Sequence, residues 1–308
     1  MGGSGGGFFS GKVNPDDLAR KAREAEEKTR DAAFDADVSA FLESELTQYN
    51  DRDVEGSQKV FQAVKDDLAS ECGGTVDLLY GGSISKHTYI DGLSDIDALV
   101  LMDRTHLVGG KPTALRKLLA DCLRSLYGKD SVSVGKLAVT LNHDGKTIQL
   151  LPALRVGDKF KISSTDGKEW SKINPVGFAD ALTKANKAMD GKLVPCIKLA
   201  KSIIATLPEK RQLTGYHTES LAINIFRDYD GPKTPKDMIR HFFEKAPEYV
   251  NKPIVDSTGQ SIYVDEYLDK ADSLERRIVA DALGRIARKM KNADGARSLE
   301  SWKELFSW

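Results

Sequence analysis

Gly81-Gly82-Ser83-Ile84-Ser85-Lys86-His87, followed at short range by Gly92-Leu93-Ser94-Asp95-Ile96-Asp97-Ala98-Leu99-Val100-Leu101-Met102, decides how this chain is read. The apolar run Val76–Tyr80 before it predicts a strand that ends at two glycines, and a short helix is predicted to begin at Ser83. Glycines let a phosphate approach the backbone closely, and a helix start offers unpaired N–H groups and the positive end of its dipole. The run from Ile96 to Met102 predicts a second strand. Asp95 and Asp97 are two apart, so on a strand their side chains share one face while Ile96 turns to the other. Two carboxylates on one face invite a hard divalent cation with oxygen ligands, typically magnesium held together with substrate phosphates. Taken singly, Gly-Gly is an ordinary turn and Asp-x-Asp a solvated strand start. Their combination at short range, leading straight into an apolar strand, favours a phosphate and metal site.

Outward from this centre, Val54–Ser70 predicts an amphipathic helix anchored by Val54, Val60, Phe61, Val64 and Leu68. The polar stretch before it predicts one or two surface helices, Asp16–Glu27 and Ala33–Tyr49. Beyond the centre come a helix over Ala114–Leu126 and strands over Val132–Leu141 and Thr147–Leu151. The turn Asn142-His143-Asp144-Gly145 joins the two strands as a hairpin. From about Asn174 the spacing becomes helical: Pro175–Met189, Leu193–Leu207, Thr218–Tyr229, Lys236–Tyr249 and Ser273–Lys291. Pro253–Gly259 is a turn-rich connector. The layout predicts an α+β fold: residues 14–173 form a mixed-sheet core with N-terminal helices, and residues 174–308 a helical lobe that closes over it. Residues 1–13 read as a flexible glycine-rich leader.

Composition bounds the function classes. The chain has 308 residues, 40% hydrophobic and 30% charged, with a formal net charge of −1. That balance suits a soluble domain with a real core and gives no global pull toward nucleic acid or membrane. No apolar run approaches the ~18 residues of a membrane span, and the glycine-rich start lacks the apolar region of a signal peptide. Cys72, Cys122 and Cys196 are too widely spaced for a zinc knuckle or a disulfide framework, and predict reduced thiols in a cytoplasmic protein. The five histidines show no paired metal-ligand spacing.

Gly-Gly-Ser followed by Asp-Ile-Asp entering a strand resembles the DNA polymerase β-type nucleotidyltransferase superfamily. Softer stretches point to its cGAS/DncV-like branch in bacteria. Leu193-Val194-Pro195-Cys196-Ile197-Lys198 looks like that branch's helix carrying a triphosphate-contacting lysine. Leu213-Thr214-Gly215-Tyr216-His217-Thr218-Glu219 looks like its loop whose aromatic stacks on a base. Val255-Asp256-Ser257-Thr258-Gly259 and Trp302-Lys303-Glu304-Leu305-Phe306 are also similar. The resemblance runs from roughly residue 40 to the end.

It implies a polymerase β-like core, with Asp95 and Asp97 holding magnesium or manganese. Gly82, Ser83 and Ser94 would contact the nucleotide, Lys198 would neutralise the triphosphate and Tyr216 would stack on the donor base. Read without it, Tyr216 is a hydrophobic anchor before a helix and Lys198 a solvated helical lysine. Thr214 would stand in for the serine that the family often places beside the tyrosine, where this chain has Gly215. The larger departure is at the third acidic position, before Leu151-Pro152-Ala153, which is Gln149. A glutamine oxygen ligates weakly and is a poor base. Three readings stand open: the glutamine is natural to this subgroup, it is a glutamate-to-glutamine exchange that traps substrate, or the strand alignment is shifted and Asp144 or Asp158 serves instead.

The resemblance further implies synthesis of a cyclic di- or trinucleotide from ATP and other nucleoside triphosphates in anti-phage signalling. It brings a downstream effector that the enzyme does not hold stably, room for a regulatory protein partner, and no requirement for nucleic acid. Two alternatives remain: a template-free transferase that modifies RNA or protein, and a nucleotide-binding protein without turnover.

Overall fold

In the computed structural model the described residues are 15–50, 54–71, 76–80, 96–102, 111–156, 159–164, 167–255 and 265–307. Helix α1 (Pro15–Asn50) and helix α2 (Val54–Glu71) precede strands β1 (Val76–Tyr80) and β2 (Ile96–Met102). Helix α3 (Pro112–Tyr127) leads to β3 (Val132–Val134), β4 (Val139–His143), β5 (Lys146–Val156), β6 (Lys159–Ser163) and β7 (Trp170–Ile173). The rest is helical: α4 (Pro175–Ala188), α5 (Leu193–Ala205), α6 (Gly215–Ile225), α7 (Pro235–Val250), α8 (Leu274–Gly295) and α9 (Leu299–Lys303). The expected α+β class holds.

The sheet runs β1-β2-β5-β4-β3, with β6 on the far half of β5 and β7 beyond it. Among the described strands only β2 and β5 pair in parallel. Alternation along these two strands sorts their side chains. Ala98, Val100, Met102, Ile148 and Leu150 join α2 and α3 in one core. Leu99, Leu101 and Ala153 turn to the opposite face, where Phe160 of β6 covers them. The β4–β5 hairpin turns on Asp144 and Gly145 alone, both at positive φ (48° and 69°). This is the pattern a two-residue turn between twisted strands demands, and Asp-Gly supplies it. Asn142 and His143, expected in the turn, are still in the ladder opposite Thr147 and Lys146.

One expectation is corrected. The strand expected over Val132–Leu141 is two strands, because Gly135 N–H bonds back to Ala138 O at 2.9 Å and reverses the chain. Of the one or two helices expected at the N-terminal side, there is one, since residues 28–32 contain no glycine or proline to break the run. Strands β6 and β7 were not anticipated. Lys159-Phe160-Lys161-Ile162-Ser163 alternates as a strand should, but it is short and half lysine-bearing.

Only the second half of α1 is packed. Phe34, Val38 and Leu42 recur at four-residue spacing and enter the helical core formed with α5 to α9. The buried ammonium of Lys236 pairs with Asp35 and with Asp294, the latter at 3.0 Å, and lies 4.6 Å from the Phe34 ring centroid. Arg297 holds Asp31 at 2.6 Å. Trp302 of α9 is fully buried and donates to Asp294 at 3.0 Å, closing the lobe.

Candidate nucleotide site

The parallel ladder sets the first part of the site. Asp97 on β2 is the register partner of Gln149 on β5, and Gln149 is in turn opposite Thr140 of β4. The residue abreast of Asp97 is thus the glutamine that the sequence analysis set at the third acidic position. Asp144 sits in the hairpin turn, and Asp158 lies outside the described residues. Gln149 is half-buried between the core residues Ile148 and Leu150, on the opposite face of β5 from them. Gly82, Ser83, Ser94 and Asp95 lie outside the described residues, as does Cys72; Cys122 and Cys196 are free thiols. Carboxylate and amide oxygens are hard donors, so the residue types at positions 97 and 149 would suit a magnesium or manganese ion, with one negative charge fewer than a set of three carboxylates would give.

The second part is built on α4, α5 and α6. Lys198 is half-buried on α5, among the fully buried Ile197 and Leu199. One turn on, Lys201 is buried and donates to the buried carboxylate of Glu219 on α6 at 2.7 Å. Thr214 caps α6, its hydroxyl accepting the His217 N–H at 3.2 Å, while Thr214 itself is exposed. Tyr216, in the first turn, is half-buried and packs against Phe178 of α4, ring centroids 4.5 Å apart and planes tilted by 53°. A Cβ at Gly215 would meet Lys201 Nζ at 3.4 Å and Cε at 3.5 Å, an ordinary contact, so the serine usual in the family has room there.

Behind this turn is a polar cluster that the sequence analysis passed over. His217 is fully buried, and its Nδ1 lies 2.8 Å from the Tyr267 hydroxyl. Its Nε2 has no hydrogen-bond partner among the described residues and lies 3.9 Å from Asp265 Oδ2. Asp265 is buried too, accepting the Ile254 N–H at 3.2 and 3.1 Å and Arg276 Nη1 at 2.6 Å. The buried Arg276 also donates to the carbonyls of Val250, Lys252, Asp265, Asp269 and Lys270. An Asp and an Arg 11 residues apart on either side of a turn-rich stretch were the available signal, but ion pairing across a loop has no sequence period to expose it.

Burial holds the His217 imidazole down to about 4 from 6.5; the Asp265 carboxylate opposes that shift and Arg276 adds to it. The unfolded chain therefore binds this proton more readily than the folded one. Stability from the neutral ring is complete above pH 6.5 and is lost as pH falls toward 4. The full loss is about 3 kcal/mol. Urea midpoints measured between pH 7.5 and 4.5 should fall accordingly, and His217→Gln should flatten that slope.

Residues 34–186 match the family description Second Messenger Oligonucleotide or Dinucleotide Synthetase domain. The chain belongs to the cGAS/DncV-like nucleotidyltransferases. A c-di-GMP synthase from Lachnospiraceae bacterium (strain RUG226) is 27% identical over 110 residues, which are 36% of this chain and 30% of that protein. The match thus spans under a third of that relative's length. Escherichia coli DncV in its 3′-deoxy GTP bound form superposes with a TM-score of 0.63 at 16% identity, over 96% of this chain and 90% of that one. CdnC of E. coli MS115-1 with ATP also gives 0.63 at 16% identity, over 88% and 96%. At these identities the structural likenesses establish the fold of this cGAS/DncV-like chain.

Proposed function

We propose that this chain joins nucleoside triphosphates, ATP among them, into a cyclic di- or trinucleotide second messenger for anti-phage signalling. In each step a ribose hydroxyl oxygen bonds to the α-phosphorus of a second nucleotide. The bond from that phosphorus to the bridging oxygen breaks, pyrophosphate leaves, and the hydroxyl proton is lost. A last round within the linear product, the second for a dinucleotide and the third for a trinucleotide, closes the ring. The observation that carries this reading is the register of Asp97 on β2 beside Gln149 on β5. The family match and the nucleotides named with DncV and CdnC support it.

Asp95 and Asp97 are the residues that would hold magnesium, with Gln149 a neutral third donor. Bound there, the ion would neutralise phosphate charge and steady the attacking and leaving oxygens. The rest falls to the protein itself. Lys198 would offset triphosphate charge, with Gly82, Ser83 and Ser94 as further phosphate contacts. Thr214 at the start of α6 would present a hydroxyl and a helix N-terminus to the triphosphate. Tyr216, braced by Phe178, would offer a ring face to a base without selecting among bases. Cytoplasmic placement and an effector reached only through the diffusing product complete the reading. Among the described residues no helix is long and apolar enough to cross a membrane.

Gln149 favours one second reading, a nucleotide-binding protein that turns over slowly or not at all. Both readings share the aspartate pair. In the double variant Asp95→Asn/Asp97→Asn, magnesium-dependent nucleotide binding should weaken about 100-fold or more as two charged ligands are lost, together with any pyrophosphate release. Calorimetry with ATP and GTP, with and without magnesium, checks this. Unchanged magnesium-dependent affinity would sink the metal site.

A further inference from the structure

We propose that Tyr267 is a positioning residue for the turn 213–216: braced by His217 and Asp265, it orients Thr214 and Tyr216 and thereby sets nucleotide affinity. This rests on the reading of Thr214 and Tyr216 given above. Tyr267 Oη accepts the Thr214 N–H at 3.2 Å and lies 2.8 Å from His217 Nδ1. With the imidazole hydrogen on Nε2, directed toward Asp265 Oδ2 at 3.9 Å, Nδ1 accepts the Tyr267 proton while the phenol oxygen accepts from Thr214. The two rings meet edge to face, centroids 5.8 Å apart and planes at 77°. Asp265 is immobilised by the Ile254 N–H and by Arg276. A path of fixed groups thus runs from the first turn of α8 to the backbone of Thr214.

Where this path ends tells what it does. His217, Asp265 and Arg276 are fully buried, but Thr214 is exposed and Tyr267 is 41% exposed. Thr214 is exposed, so water could take the phenol's place at its N–H at little cost. A phenol differs from water in being held in one place. Thr214 already uses its hydroxyl on the His217 N–H and its carbonyl on Thr218. With its N–H also taken, the residue is held on every polar group, and Tyr216 two positions on is aimed with it. Holding a binding group in its bound geometry lowers the ordering cost of binding.

The test is Tyr267→Phe in the full chain, which keeps the ring and removes only the hydroxyl. Dissociation constants for ATP, GTP, CTP and UTP with magnesium are measured by calorimetry, with the melting temperature of the same samples. The expected result is about a five- to tenfold weakening for each nucleotide the parent chain binds, as for one lost hydrogen bond, with melting shifted by no more than about two degrees. Unchanged affinity overturns the proposal, and so does weakening accompanied by a large fall in melting, which would make the hydroxyl a stability element. A parent chain that binds none of the four overturns this proposal together with the reading beneath it; intact affinity in Tyr267→Phe overturns this proposal alone.

Discussion

Exchanging Gln149 for glutamate is expected to raise pyrophosphate release about 100-fold or more, the usual contribution of a well-placed general base. The register is the reason: position 149 is the residue abreast of Asp97 on the neighbouring parallel strand. A carboxylate there would add the charge that a magnesium site of this kind uses and a base near the attacking hydroxyl. Glutamate is isosteric with glutamine, and the half-buried site has an aspartate for a register partner, so the added charge would need the metal to offset it. Activity of the variant should therefore be more strongly metal-dependent than that of the parent chain. Initial rates of pyrophosphate release across a magnesium titration check both points. A variant no faster than its parent would mean that the glutamine is native to the mechanism.

The other large effect is structural. Arg276→Ala should destabilise the helical lobe by about 3–5 kcal/mol, because it strands the buried Asp265 carboxylate without its cation. It also removes the donor for the carbonyls of Val250, Lys252 and Asp269, which lie at the two ends of the connector between α7 and α8. Paired replacement with Asp265→Asn should recover part of the loss, since no unpaired charge then remains. Chemical denaturation of the single and double variants gives the comparison. A loss under 1 kcal/mol for Arg276→Ala would show that solvent reaches the site.

Much of the fold was legible because it rests on local patterns. The β2 run from Ile96 to Met102, Asp-Gly at the hairpin and the helical spacing from Pro175 onward each declare themselves within a few residues. What was not legible is non-local. Nothing in residues 28–32 says whether two helices or one result, because continuity there reflects only the absence of a breaker. Strand β6 is short and earns its place by setting Phe160 over Leu99 and Leu101, residues about 60 positions earlier. The pairing of Asp97 with Gln149 was accessible as a resemblance and becomes geometry only in the ladder. Tyr216 could be named from its motif, but Phe178, Tyr267 and Arg276, which hold its turn from behind, come from three other segments with no common spacing.

The measurement that tests the central claim most directly is incubation of the chain, and of its Gln149→Glu variant, with all four ribonucleoside triphosphates and magnesium or manganese. Mass spectrometry of the small-molecule fraction then follows. The account predicts a cyclic di- or trinucleotide together with pyrophosphate, at a higher yield from the variant. Nucleotide label recovered on RNA or protein, or no cyclic product from either chain, would contradict it.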